Sequence, residues 1–472
     1  NTHRVLGCSI YKLQAISLIE SIVICLISYI LALFIVNDLS YTPIANWVDA
    51  DIRLSQYKGL ILLTALIAIL TGCLAGLYPA IRSTSYAPAL VLKGSFGLSP
   101  KGKKVRVALI GFQYTVSIAL IIVTLFMGLQ NHFMTSSEQL GFNKDQVAIV
   151  NLTPEIYAKH KPQYIQKLKD YPGIEDVAFS VYELSKEDDM IDLEYARHED
   201  KDVFFKVFYA SENFLSVMDI QVEEGRDFTR EDLNKAQSDY IINPAAERDF
   251  HLHPGDRFND RTVLGVSKDF RFNSCRIASS PFVFALNNDI PNPKLVSYIR
   301  FNSKTNLQEA VAHVRETLKE IDPTFPFEIS FYNTILNNLY QKEQTLGKLI
   351  SLFGIMAILI SIVGVFGLVL FETQYRRKEI GIRKINGATT GQILLMFNKT
   401  YIRIVSVCFI ISIPIAWMGT QQWLENFAYK TPLHLWVFIV AFLIILSVTI
   451  GTVTFRNWQA ANENPVNSVK SE

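Results

Sequence analysis

Six stretches of this 472-residue chain stay apolar for long enough to cross a bilayer as helices. They run from Leu13 to Val36, Gly59 to Ile81, Val107 to Gln130, Leu349 to Phe371, Ile393 to Thr420 and Leu435 to Phe455. The charges inside them are Glu20, Lys399 and Arg403, each near one end, where a side chain is expected to reach the interface. Between the third and fourth stretches the pattern changes. Residues 146–152, 177–182 and 204–209 read as short strands, bounded by turn residues. Pro154 to Tyr171 has a helical period and is ended by Pro172-Gly173; Leu307 to Ile321 is an amphipathic helix stopped by Asp322-Pro323. Polar segments 131–140 and 332–346 read as helical stalks leading out of and back into the apolar spans. The expected fold is an α-helical transmembrane bundle of six spans with one α+β domain inserted.

Charge gives this arrangement an orientation. The net charge is only +1, but it is unevenly spread. Residues 131–345 hold 35 acids against 24 bases, and the remainder holds 9 acids against 21 bases. Basic loops stay on the cytoplasmic side, so the inserted domain is expected outside and both ends inside. The basic stretch 101–106 adjoins a span and reads as charge facing anionic lipid, with no nucleic acid implied. Half the residues are hydrophobic and the mean hydropathy is +0.21, as a membrane protein with a sizeable soluble part requires. Of five cysteines, only Cys275 lies in the inserted block, which therefore has no internal disulfide.

The densest basic cluster is Arg376-Arg377-Lys378-Glu379-Ile380-Gly381-Ile382-Arg383-Lys384, followed by Ile385-Asn386-Gly387-Ala388 and set between two spans. Glu379 and Arg383 have the spacing of a helical ion pair. Ile380, Ile382 and Ile385 suggest an apolar stripe, and Gly387 can end the helix. Glu-Ile-Gly-Ile-Arg-Lys-x-x-Gly-Ala-Thr resembles the cytoplasmic coupling segment of the MacB/FtsX family of ABC-transporter permeases. Within the inserted block, Ser211 to Met218 with Glu224-Gly225-Arg226-Asp227-Phe228, Asp239 to Ala246, and Val263 to Phe270 are similar to pieces of that family's outer domain, in the same order.

The resemblance implies a permease subunit with a MacB-type periplasmic domain, in the bacterial cytoplasmic membrane. Its coupling segment would comprise Arg377, Lys378, Glu379, Ile380, Gly381, Arg383, Lys384, Gly387 and Ala388. A separate ABC ATPase would bind ATP and Mg there, leaving this chain with no cofactor and no enzymatic activity of its own. Motion of the outer domain would then serve export or efflux of a drug, peptide or lipoprotein-like cargo. The alternative is an FtsX-like transmitter that regulates a cell-wall hydrolase outside. A second permease chain, or an outer-membrane or periplasmic protein, is a further partner the resemblance allows.

An internal repeat accompanies the motif. His3-Arg4-Val5-Leu6-Gly7 aligns with Arg383 to Gly387, which makes His3, Arg4 and Gly7 the expected remnant of a first coupling segment. Pro88 to Lys93 is echoed by Pro465 to Lys470. The expected division is 1–106 as the end of a first FtsX-like half, 107–130 as a span, 131–345 as the outer domain, and 346–472 as a second transmembrane domain with its coupling segment at 375–392. A preceding span and outer domain are expected upstream of Asn1. No Gly-x-x-x-x-Gly-Lys-Ser/Thr phosphate loop is present. Asp188-Asp189 reads as solvated loop, and His251-x-His253 lacks partners at metal-ligand spacing.

Overall fold

The computed structural model describes residues 8–42, 53–84, 100–136, 140–185, 192–199, 201–235, 237–271, 273–286 and 295–462. His3, Arg4 and Gly7, the Pro88 and Pro465 repeats, and Asp188-Asp189 lie outside them. In chain order the helices are α1 (Ile10–Leu39), α2 (Lys58–Thr84), α3 (Pro100–Thr135), α4 (Lys161–Lys169), α5 (Phe214–Met218), α6 (Pro244–Phe250), α7 (Leu307–Ile321), α8 (Tyr332–Leu339), α9 (Gln341–Tyr375), α10 (Arg377–Ile385), α11 (Thr390–Leu424) and α12 (Leu435–Ala461). Among the described residues, α1, α2, α3, α9, α11 and α12 are long and apolar enough to cross a membrane. Each is longer than its apolar run, because polar turns such as Pro100 to Arg106 continue the helix past the hydrophobic stretch.

Two units result. One comprises residues 1–125, 345–418 and 434–472; the other comprises 126–344 together with 419–433. In the first, α1 and α2 pack through Gly72 and Gly76. A Cβ at Gly72 would stand 2.8 Å from the Ile22 Cα, and one at Gly76 2.8 Å from the Ser21 Cβ. Small residues four apart let helix backbones approach this closely. Tyr29 donates from its hydroxyl to the Ile61 carbonyl, 2.7 Å away, across the same pair. The helices α3 and α9 meet through Ser117 and Ser361, whose hydroxyls are 2.9 Å apart, and through Gly364, which leaves room for Gln113. Gly367 has open space where a Cβ would be, so only some of the glycines in α9 serve packing.

The second unit is built on a mixed sheet of eleven strands: β1 (Val147–Leu152), β2 (Ile174–Ser180), β3 (Asp192–His198), β4 (Lys201–Ala210), β5 (Val222–Gly225), β6 (Tyr240–Ile242), β7 (Arg257–Phe258), β8 (Arg261–Ser267), β9 (Phe282–Leu286), β10 (Leu295–Phe301) and β11 (Ile329–Phe331). The order is β11-β1-β10-β2-β4-β9-β6-β8-β5, with β3 on β4 and β7 on β8. Alternation along the strands assigns their faces. Ala148, Val150 and Leu152 of β1 join Leu295, Ile299 and Phe301 of β10 in a core with Leu168 of α4 and Val314 and Leu318 of α7. Val147, Ile149, Val296 and Tyr298 face the other way, toward Phe208, Phe214 and Tyr332. A third cluster around Phe205, Tyr240 and Phe258 serves β4, β6 and β8. The helix expected over 154–171 opens instead with a wide turn, Ile156–His160, before α4, where Pro162 supplies no N–H to continue the ladder backwards. The stalk expected over 332–346 is broken at Tyr340, where the backbone leaves helical geometry between α8 and α9.

Candidate functional site

The basic segment folds as α10, a separate nine-residue helix held between α9 and α11. Arg377 and Lys378 open it. Glu379 in the first turn and Arg383 and Lys384 in the last suit the helix dipole, whereas Arg377 and Lys378 at its start oppose it. The spacing read from the sequence is realised: Arg383 Nη2 lies 2.8 Å from Glu379 Oε1. Gly387 adopts φ +87°. Its N–H donates to the Lys384 carbonyl, and the Ala388 N–H donates to that of Arg383, the paired bonds of a left-handed helix stop. Open space surrounds the position of a Gly387 Cβ, so the demand for glycine there is one of backbone angle and not of crowding.

The next helix starts two residues later. Thr389 Oγ1 accepts from the Gln392 N–H, and Gln392 Oε1 accepts from the Thr389 N–H. This reciprocal cap fixes where α11 begins. Thr-x-x-Gln before an apolar run is a legible signal that the sequence reading overlooked. A stop and a start this close together define the direction in which the chain leaves α10.

The isoleucine stripe requires correction. Ile380 is 3% exposed and Gly381 is buried beside it, whereas Ile382 and Ile385 are 55% and 66% exposed. Residues two and five positions apart fall on opposite sides of a helix of 3.6 residues per turn. Ile380 and Gly381 therefore seat α10 in its own unit. Ile382, Ile385 and the Glu379–Arg383 pair are left on offer to solvent or to a partner. Lys384 and Ala388 are half-buried.

In the other unit, Arg226 of the Gly225-Arg226-Asp227-Phe228 segment makes a two-pronged contact with Asp232, at 2.7 and 2.8 Å. The Asn243 side chain caps α6 through the Ala246 N–H and also accepts from the Phe282 N–H, which fixes the strand-to-helix turn. Glu224, Glu247 and His253 bring their ligand-type atoms within 4.8 Å of one another on the surface, a grouping that the His251-x-His253 spacing did not disclose.

Residues 351–465 match the family model described as FtsX-like permease C-terminal. The chain is 25% identical over 212 residues to the macrolide export ATP-binding/permease protein MacB of Aggregatibacter actinomycetemcomitans, covering 42% of this chain and 32% of that protein. It is 25% identical over 223 residues to MacB of Neisseria gonorrhoeae, covering 44% and 34%. It thus spans about a third of the length of the curated relatives it matches. Among solved structures, the periplasmic region of MacB from Actinobacillus actinomycetemcomitans aligns with 42% of this chain and 94% of its own, at 15% identity and a TM-score of 0.31. The extracellular domain of the ABC-type transporter YknZ aligns with 39% and 98%, at 15% and 0.29. On the family model, residues 351–465 of this multi-pass membrane protein form an FtsX-like permease C-terminal region, and the chain as a whole is similar to MacB permeases.

Proposed function

We propose that this permease works with a separate ATPase that docks on α10 from the cytoplasm of a bacterial cell, and that the resulting motion reaches the α/β unit outside. ATP and Mg would be held by that partner; the sequence has no phosphate loop of its own. The observation that carries the reading is the two-sided character of α10. Ile380 and Gly381 anchor it, while Ile382, Ile385, Glu379 and Arg383 form an outward face of apolar and paired charged groups. Such a face suits a groove on another protein, because it combines apolar burial with polar contacts that set register. The apolar character of the spans supports mechanical transmission over passage of a polar solute through them, since a solute path needs polar lining. Export of a drug such as the macrolides named for the relatives, or of a peptide or lipoprotein-like cargo, is the expected output.

The test is co-purification of the ATPase and its membrane-stimulated turnover. Reversing both charges, Glu379→Lys with Arg383→Glu, is expected to weaken association, at about 2–5 kcal/mol for charges buried in an interface. Gly387→Val is expected to retain those charges and misdirect the helix. Wild-type association and turnover in the double reversal would defeat the reading.

A further inference from the structure

In the last turn of α9, Glu372 is only 9% exposed. Its Oε2 accepts from the buried Tyr401 hydroxyl of α11 at 3.2 Å. Its Oε1 lies 3.2 Å from Arg376 Nη2. Arg376 is the single residue between α9 and α10 and is itself non-helical. Its other guanidinium nitrogen stands 3.9 Å from Glu379, which in turn pairs with Arg383, and its face lies over the Phe397 ring of α11. One position after Glu372, Thr373 Oγ1 is 2.7 Å from Asn457 Oδ1 of α12.

Two consecutive residues of α9 thus reach two other helices, and a ladder of alternating charge continues into α10. A carboxylate this buried persists only when its oxygens are neutralised and hydrogen-bonded, and removing one partner leaves an uncompensated charge. A hinge at Arg376 would have to break that arrangement. We propose that Glu372, with Tyr401 and Arg376, is a positioning node that locks α10 to α11, so that force on α10 moves the surrounding helices together and does not bend the chain at Arg376. The source of the force rests on the coupling reading above; the lock is a property of this chain alone.

The first arm of the test needs no partner. A nitroxide is placed at Ile385→Cys on the full chain, with the five native cysteines replaced by alanine. Glu372→Gln is expected to enlarge the mobile component of its spectrum, and Tyr401→Phe to do so less. Tyr401→Phe removes one oxygen only, so it keeps the test open if Glu372→Gln folds poorly. Unchanged spectra in both would overturn the node. In the second arm, Glu372→Gln should still co-purify the ATPase while stimulated turnover falls about three- to tenfold, within the lower part of the range of couplings between neighbouring residues. Full turnover with retained association would also overturn it. If the wild-type chain captures no ATPase, the coupling reading fails instead, and the nitroxide arm alone decides the node.

Discussion

Asp232 shows what a single side chain contributes to the sheet-containing unit. It is 2% exposed, accepts both prongs of Arg226, and receives the Thr229 N–H and hydroxyl. The Arg226 contact above all holds its carboxyl well below the usual 3.8, against the opposing effect of burial. A depressed carboxyl stabilises the fold at pH above its unfolded value, and this stability is lost as pH falls below about 4. Asp227 and Asp269 have the opposite sign, because burial raises them. Asp232→Asn is expected to cost about 2 kcal/mol at neutral pH, as for hydrogen bonds to charged groups. The cost should shrink between pH 5 and pH 3, which urea unfolding across that range would measure; an undiminished difference at pH 3 would contradict the assignment. The motif around Arg226 was legible in the sequence, but its partner six residues on went unread. The Thr229-x-x-Asp232 spacing of a capping box was the signal that singles out this acid, and the sequence reading overlooked it.

Elements were read with more success where length decided them. The six apolar runs became six helices because a span needs no partner to declare itself, and α7 has the same bounds as its amphipathic pattern. Packing between elements was harder to see. The Gly72-x-x-x-Gly76 spacing went unread, although it brings two helix backbones into near contact. Replacing Gly72 with Leu should force α1 and α2 apart and lower the thermal midpoint of the detergent-solubilised chain, with overpacking costing about 1–3 kcal/mol. Gly59→Leu is the control, because open space surrounds that position. Equal midpoints for the two variants would show that the close approach is dispensable.

For the whole molecule, orientation is the first expectation to check. With the native cysteines removed, Glu231→Cys should react with an impermeant maleimide added to intact cells, and Ile385→Cys should not; the reverse pattern would invert the topology. Charge asymmetry is the ground for that expectation. The discontinuity of the second unit was not legible in the sequence, since residues 419–433 look like an ordinary short loop. There the Gln130 amide, fully buried, donates to the Tyr429 carbonyl and accepts from the Thr431 N–H, while the Tyr429 hydroxyl accepts from the Ser279 N–H. Neither Tyr429 nor Thr431 exists when the main body of the unit, residues 126–344, has just been made. The ribosome must add about 90 further residues, a wait of roughly 5–20 s at about 5–20 residues per second. During that interval the Gln130 amide lacks both of these partners, and the unit is one piece short of closed. A chaperone or insertase that shields this gap would act late in synthesis, and a chain truncated before residue 419 would leave it permanently open.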